Sequence, residues 1–268
     1  VVVERLHIEE PEPPAPVTEP EKTFEEVLDE HPVSIQIGGQ WQTFPNAKAA
    51  EEASYEEYKA NLLRNAQNFR IIDAHLGEGG PKAKFQANIE AIKLLKYLEE
   101  TTGQATPEQQ EVLSRYVGWG GLSDAFDPEK PAWASEYAQL KELLTPEEYA
   151  AARSSTLNAH YTSSTVIQAI YEAVGRMGFE TGNILEPSMG VGNFFGMLPE
   201  EMRNSRLYGV ELDLVSGRIA RQLYPKADIT VGGFETTDRR DFFDLAIGNV
   251  PFGQYQVNDK AYNKLNFS

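Results

Sequence analysis

Three short stretches of the chain hold residue types that could do chemistry together. ILEPSMGVGNFFG, residues 184–196, ends a predicted strand on the acid Glu186, then runs through Pro187 and Ser188 and turns at Gly190 and Gly192 into a predicted helix. Glycines at such a turn let a ligand approach the backbone at the C-terminal edge of a sheet. The spacing is not G-x-G-x-x-G, because Phe195 stands three residues after Gly192, and no Gly-Lys-Ser/Thr follows, which excludes a phosphate-binding P-loop. YGVELD, residues 208–213, ends the next predicted strand on Glu211, placed to accept hydrogen bonds from two ribose hydroxyls. The pair specifies a ribose-bearing cofactor whose remaining charge is not a pyrophosphate. DLAIGNVPFG, residues 244–253, delivers Asn249, Val250, Pro251 and Phe252 to the same edge. A core would waste the Asn249 amide, and an aromatic ring beyond a proline turn is expected to be half exposed.

The elements that must position these residues alternate. After Thr162, the predicted helices SSTVIQAIYEAVGRMGF, VGNFFGMLPEEMR and VSGRIARQLYP separate the apolar strands GNILEPS, RLYGVELD, ADITVGGFE and FFDLAIGNVPFG. Apolar strands joined by helices imply a parallel, doubly wound α/β sheet. Upstream, residues 33–155 read as a small hairpin around Gly38-Gly39 followed by a helical subdomain of about five helices. In it KFQANIEAIKLLKYLEE sets Phe85, Ile89, Ile92, Leu95 and Tyr97/Leu98 on one side, and Thr106-Pro107 and Thr145-Pro146 are N-cap and first-turn pairs. Two Gly-rich pieces, HLGEGGPKAKF and VGWGGLSDAFD, read either as helix-ending loops or as loops approaching a ligand or DNA, with Trp119 exposed for stacking. Residues 1–32 are an acidic Pro/Glu-rich linker with little to bury.

Composition narrows the class. With 268 residues and 41% hydrophobic content the chain fills a real core, which excludes global disorder. No cysteine is present and only four histidines, so no metal site is expected. No apolar run is long enough for a membrane span and no signal peptide pattern opens the chain, so a cytoplasmic protein is expected. The net charge is −17, but residues 1–30 carry ten acids against two bases, and residues 156–268 carry 13 against ten. The acidity that would repel nucleic acid lies mostly away from the last third.

EPSMGVGNF, GVELD and IGNVPFG, in that order and spacing, resemble the amino-methyltransferase branch of the class I S-adenosylmethionine-dependent methyltransferases. From about Phe69 to Ser268 the chain is similar to the N-terminal part of the large DNA methyltransferase-helicase proteins of conjugative elements, plasmids and phages. The resemblance implies a partial Rossmann-like core at residues 156–268, truncated after its fourth strand, and a fragment with little or no activity alone. It implies S-adenosyl-L-methionine as cofactor, with Tyr161 and Thr162 against the methionine end. Glu186, Pro187, Ser188, Gly190 and Gly192 would line methionine and ribose, Glu211 would hold the ribose hydroxyls, and Phe234 would cover the adenine. Relatives commonly offer Asp where Gly233 stands, and Pro where Ser163 and Val250 stand. Asn249, Val250, Pro251 and Phe252 would be the catalytic turn.

The implied activity is adenine-N6 methylation of DNA on a flipped-out base, within a larger protein that carries a covalently linked helicase region. Two alternatives stay open. One is a catalytically silent methyltransferase-like scaffold. The other is a protein-glutamine methyltransferase, whose amide nitrogen poses the same lone-pair problem as an adenine amine.

Overall fold

The computed structural model describes residues 31–73, 76–101, 103–156 and 162–250. The chain divides into two compact units after Tyr58. The first holds the expected hairpin, β1 (Val33–Ile37) and β2 (Gln40–Phe44), paired antiparallel from Val33↔Phe44 to Ile37↔Gln40. Gly38 and Gly39, at φ 58° and 80°, form its two-residue turn, as a hairpin of this twist requires. The helix α1 (Ala47–Asn65) starts where the Asn46 side chain accepts the Ala49 N–H at 2.8 Å.

The second unit begins with a helical layer: α2 (Pro81–Glu100), α3 (Pro107–Ser114), α4 (Ala134–Leu143) and α5 (Pro146–Ser155). Helices α3 and α5 open with the expected threonines, each in a reciprocal capping box, Thr106 with Gln109 and Thr145 with Glu148. Along α2, Phe85, Ile89, Ile92, Leu95 and Leu98 are buried at helical spacing, each contributing about 1.5–3 kcal/mol of transfer free energy. Tyr97 is 56% exposed, so Leu98 takes the inward place.

Trp119 is 1% exposed, which overturns the reading of an exposed stacking residue. Its ring meets Phe126 edge-on at 5.3 Å, and Phe85 and Tyr116 at 6.0 and 6.3 Å. Inward packing wins because an indole buries far more apolar surface there than it could cover at a surface.

The remaining elements build a four-stranded, all-parallel sheet in the order β5-β4-β3-β6. Its strands are β3 (Asn183–Pro187), β4 (Arg206–Glu211), β5 (Asp228–Val231) and β6 (Leu245–Ala246). Helix α6 (Ser164–Arg176) buries Ile167, Tyr171 and Val174 at helical spacing. Helix α8 (Leu214–Leu223) is capped by Asp213 and buries Val215, Ile219, Ala220 and Leu223.

The predicted helix over VGNFFGMLPEEMR is shorter in the structure. Helix α7 (Asn193–Gly196) stops after one turn, and a 3-10 turn at Glu200–Met202 follows Pro199. Proline cannot continue an α-helix. A Cβ on Gly196 would also collide with Ile71 and with the Tyr224 hydroxyl, so this turn is wedged between neighbours.

The helical layer and the sheet share α8. Gln222 takes the Ala105 N–H on its side-chain oxygen and donates to the Gly103 carbonyl, while Gln110 donates to the carbonyls of Gln222 and Gln67. The buried Glu148 of α5 is paired with Lys96 of α2 at 3.0 Å and Arg218 of α8 at 2.8 Å. Lys96, Arg218 and local backbone hold its carboxyl below the usual carboxylate range despite burial. No helix among the described residues is long and apolar enough to cross a membrane.

Candidate cofactor and catalytic site

Strand order reverses between β3 and β6, because β4 and β5 lie on one side of β3 and β6 on the other. Ligands of open parallel sheets sit outside the strand C-termini at such a reversal. β3 ends here on Glu186-Pro187, and Asn249 follows three residues after the end of β6.

β3 delivers Glu186 into a site where it is 3% exposed. Beyond Pro187 the chain coils: Ser188 (φ 62°), Gly190 (φ 57°) and Gly192 (φ 85°) are all left-handed. A serine in that region carries about 1–2 kcal/mol of strain, held by the loop around it. The Met189 N–H bonds to the Val210 carbonyl at 2.9 Å, and the Gly192 N–H to the Met189 carbonyl at 2.8 Å. A Cβ on Gly192 would collide with the Tyr224 ring and the Met189 methyl, so both its conformation and its surroundings demand glycine.

Two carboxyls define the electrostatics. The Phe194 and Phe195 N–H groups, in the first turn of α7, point at Glu186, while its Oε2 is buried without a hydrogen-bond partner. Burial first, and then the neighbouring Glu211, push its pKa well above 4.5. Glu211 receives the Gly190 N–H on Oε2 at 2.6 Å and the Asp213 N–H on Oε1 at 2.7 Å, and burial raises its pKa as well. Each of its oxygens keeps a further lone pair for an incoming donor. Tyr171 donates to the Phe194 carbonyl at 2.8 Å and ties α6 to the loop.

The β6 side is set by a second group of contacts. The Asp244 carboxylate takes the Asn183 N–H at 2.7 Å, and the Ile247 N–H reaches the Leu185 carbonyl at 2.9 Å. Tyr208, Phe242 and Phe243 pack edge-on, with Arg239 stacked on Tyr208 and Phe242 and paired with Asp228. This cluster anchors the chain that enters β6. Gly248 comes against Pro187, where a Cβ would stand 3.4 Å from its carbonyl oxygen. Asn249 and Val250 follow and are exposed.

Glu186, Pro187, Ser188, Gly190, Gly192, Glu211 and Asn249-Val250 are thus brought to one edge of the sheet. Thr162 is half-buried, one residue before the N-cap of α6. Phe234 follows β5 at the next strand end and is 53% exposed. Tyr161, Pro251 and Phe252 lie outside the described residues.

Two features escaped the motif reading. Leu212, directly after Glu211, is 72% exposed, so an apolar side chain stands open beside the acid. Its signal was an apolar residue past the end of a strand. A strap at residues 67–71 also buttresses the loop: the Phe69 N–H bonds to the Leu223 carbonyl at 2.7 Å and the Ile71 N–H to the Gly196 carbonyl at 2.9 Å. Arg70 donates to the Leu198 carbonyl at 2.9 Å. The apolar alternation of Phe69 and Ile71 around Arg70 was its only trace in sequence.

This edge fits a nucleoside-bearing ligand. It offers a buried carboxyl with an unmatched oxygen, a second carboxyl able to accept hydroxyl protons, glycines without room for side chains, and the exposed Leu212 next to the second carboxyl. Among the described residues no group of three or more His, Asp or Glu side chains is placed to hold a metal ion.

No protein-family model matches the chain, and no solved structure matches it. It is similar to the Defense against restriction protein B of Escherichia phage P1, 29% identical over 180 residues that make up 66% of this chain and 6% of that protein. It is also similar to the Type II methyltransferase M.CvrRI of Paramecium bursaria Chlorella virus XZ-6E, 39% identical over 92 residues, 34% of this chain and 24% of the enzyme. The chain therefore spans a small part of the length of each relative. Shared sequence, the parallel sheet and the glycine loop at its reversal point make the chain a DNA methyltransferase-related protein.

Proposed function

We propose that the chain is the S-adenosylmethionine-binding and catalytic module of an adenine-N6 DNA methyltransferase, within a larger DNA-processing protein that carries a linked helicase region. The observation that supports this most directly is the close approach of Gly248, the residue before Asn249, to Pro187 at the strand reversal, with Glu211 hydrogen-bonded to the loop that follows Pro187. The Type II methyltransferase relative supports the reaction class.

An adenine amine is a poor nucleophile because its lone pair is delocalised into the ring. The Asn249 side-chain oxygen and the Val250 carbonyl oxygen each accept one amine hydrogen, which draws the lone pair out of the ring plane. Val250 serves as well as proline here, since only its carbonyl is used. Phe252 has the stacking role, offering its ring face to the base and to the positive charge that grows on nitrogen. Glu211 and the glycine loop orient the cofactor, so positioning supplies most of the rate. Bound S-adenosylmethionine supplies the sulfonium methyl group. The target nucleotide is flipped out of the duplex at a cost of a few kcal/mol. The phosphate grip on DNA belongs to other parts of the protein, because this chain carries a net charge of −17.

Calorimetric titration of the full-length parent protein with S-adenosylmethionine, followed by an assay of its labelled methyl transfer to adenine in duplex DNA, tests the reading. Binding with transfer that disappears in Asn249→Ala is the expected result. Absence of cofactor binding overturns it. Binding without transfer favours a silent scaffold, a reading that takes its support from the missing acid at Gly233.

A further inference from the structure

Gly233 lies just past β5 with φ −71° and ψ 147°, ordinary extended backbone that any residue adopts. Conformation therefore gives no reason for glycine there. Space does. Both carboxylate oxygens of Glu235 lie in hard contact with the point where a Cβ on Gly233 would stand. In an aspartate the two oxygens lie one bond beyond the carbon attached to Cβ, so the Glu235 carboxylate fills the volume that an acid at position 233 would need. The 3-10 turn at Phe234–Thr236 folds it back, with the Thr236 N–H and hydroxyl both bonded to the Gly233 carbonyl, the hydroxyl at 2.7 Å. Among the described residues no cation pairs with Glu235, since Arg239 is held by Asp228 and Arg240 by Asp238.

On the cofactor reading above, the direction of the ligand fixes what this carboxylate meets. The methionine end lies over the β3 loop and the ribose over Glu211, so the base extends toward the end of β5. That strand end adjoins Glu211 directly, through the pair Glu211↔Val231 and a 2.8 Å bond from the Gly232 N–H to the Glu211 carbonyl. Leu212 and Phe234, both exposed, supply apolar surface at these two strand ends. An adenine there presents one strong donor at its outer edge, the 6-amino group, and a carboxylate is an acceptor only.

We infer that Glu235 is the specificity residue for the adenine of the cofactor: its carboxylate accepts the 6-amino hydrogen from the space left open by Gly233. The chain thus carries the acid two residues later in sequence and at the same place in space.

The test is calorimetric binding of S-adenosylhomocysteine and of S-inosylhomocysteine, in which a carbonyl replaces the amine. The wild-type chain is expected to prefer the adenosyl ligand by roughly tenfold to a hundredfold, the range for a hydrogen bond to a charged group. Glu235→Gln is expected to abolish the preference, because an amide can accept from the amine or donate to the carbonyl. Glu235→Ala is expected to lower adenosyl affinity by about tenfold while leaving inosyl binding unchanged. The double variant Gly233→Asp with Glu235→Ala should restore the preference. Unchanged discrimination in Glu235→Gln and Glu235→Ala, with normal thermal unfolding, overturns the assignment and leaves the cofactor reading standing. Failure of the wild-type chain to bind either ligand removes both.

Discussion

Two glycine-rich loops in the same unit end differently. The loop around Trp119 uses Gly118 and Gly121 at φ 66° and 72°, and the β3 loop uses Gly190 and Gly192 in the same left-handed region. In the first, the buried Asn88 donates to the Gly118 carbonyl and accepts the Val117 N–H, so backbone polarity is met from inside and the indole closes the core. In the second, carboxyls are brought indoors and one oxygen is left unmatched, while Leu212 and Phe234 are left outside. Glycine supplies the same backbone freedom to both. What marks the candidate ligand site is the reversed polarity around it, with carboxyls buried and apolar side chains exposed.

The largest expected effect falls on the closed loop. Trp119→Ala removes a fully buried indole and its edge-to-face contacts with Phe85, Tyr116 and Phe126, and should cost about 3–5 kcal/mol. Urea denaturation would read this as a lower midpoint. Calorimetry below the transition should find S-adenosylhomocysteine affinity unchanged. Coupled loss of affinity in the folded variant would break the distinction between the loops.

Gly192→Ala is the counterpart in the open loop. The left-handed backbone costs about 1–2 kcal/mol with a Cβ present, and the Tyr224 ring and Met189 must also shift. Stability should fall less than in Trp119→Ala, while cofactor affinity falls by more than about tenfold. Equal affinity in this variant would show that the loop's shape is not what the ligand reads.

Glu186 sharpens the comparison through pH. Unfolded, its carboxyl ionises near 4.5; folded, burial and Glu211 hold the proton to higher pH. The unfolded state therefore gains ionisation free energy that the folded state does not, and stability falls as pH rises from 4.5 through the raised folded value. Glu186→Gln keeps an acceptor for the Phe194 and Phe195 N–H groups and does not titrate. Its melting temperature, measured against wild type, should be about equal at pH 4 and progressively higher toward pH 8, by roughly 2–4 °C for each kcal/mol. Glu148 shifts in the opposite sense, so its contribution is present above 4.5 and lost on acidification, and the difference between the two proteins cancels it.

Much of this site could be read from sequence because its logic is local. A strand ending on Glu186 with glycines four and six residues later, and a second ending on Glu211, are patterns along a single stretch of chain. The parallel sheet followed from alternating apolar runs for the same reason. What sequence hid depends on approach from afar. The Glu148–Arg218 pair joins residues 70 apart, and the strap at Phe69–Ile71 meets Leu223 and Gly196 across the fold. Trp119 had no local sign of whether its ring turned in or out. The space taken beside Gly233 is filled by a residue only two positions away, yet a motif template aligned at 233 looks past it.

The smallest effect concerns an exposed residue and isolates the open side of the comparison. Leu212 is 72% exposed, so truncation removes almost no buried surface from the folded chain. Leu212→Ala should leave stability within about 0.5 kcal/mol of wild type, the usual range for a surface substitution. An adenine laid against that side chain would lose contact area worth about 1 kcal/mol, which is a fall in affinity of roughly fivefold. Because adenosyl and inosyl rings present the same face, both ligands should weaken equally, in contrast to substitutions at Glu235. Equal weakening with unchanged melting would assign Leu212 to the ring face. Unchanged affinity for both ligands would mean that its exposure serves nothing at this edge, and the polarity rule drawn from the two loops would then rest on Phe234 and the buried carboxyls alone.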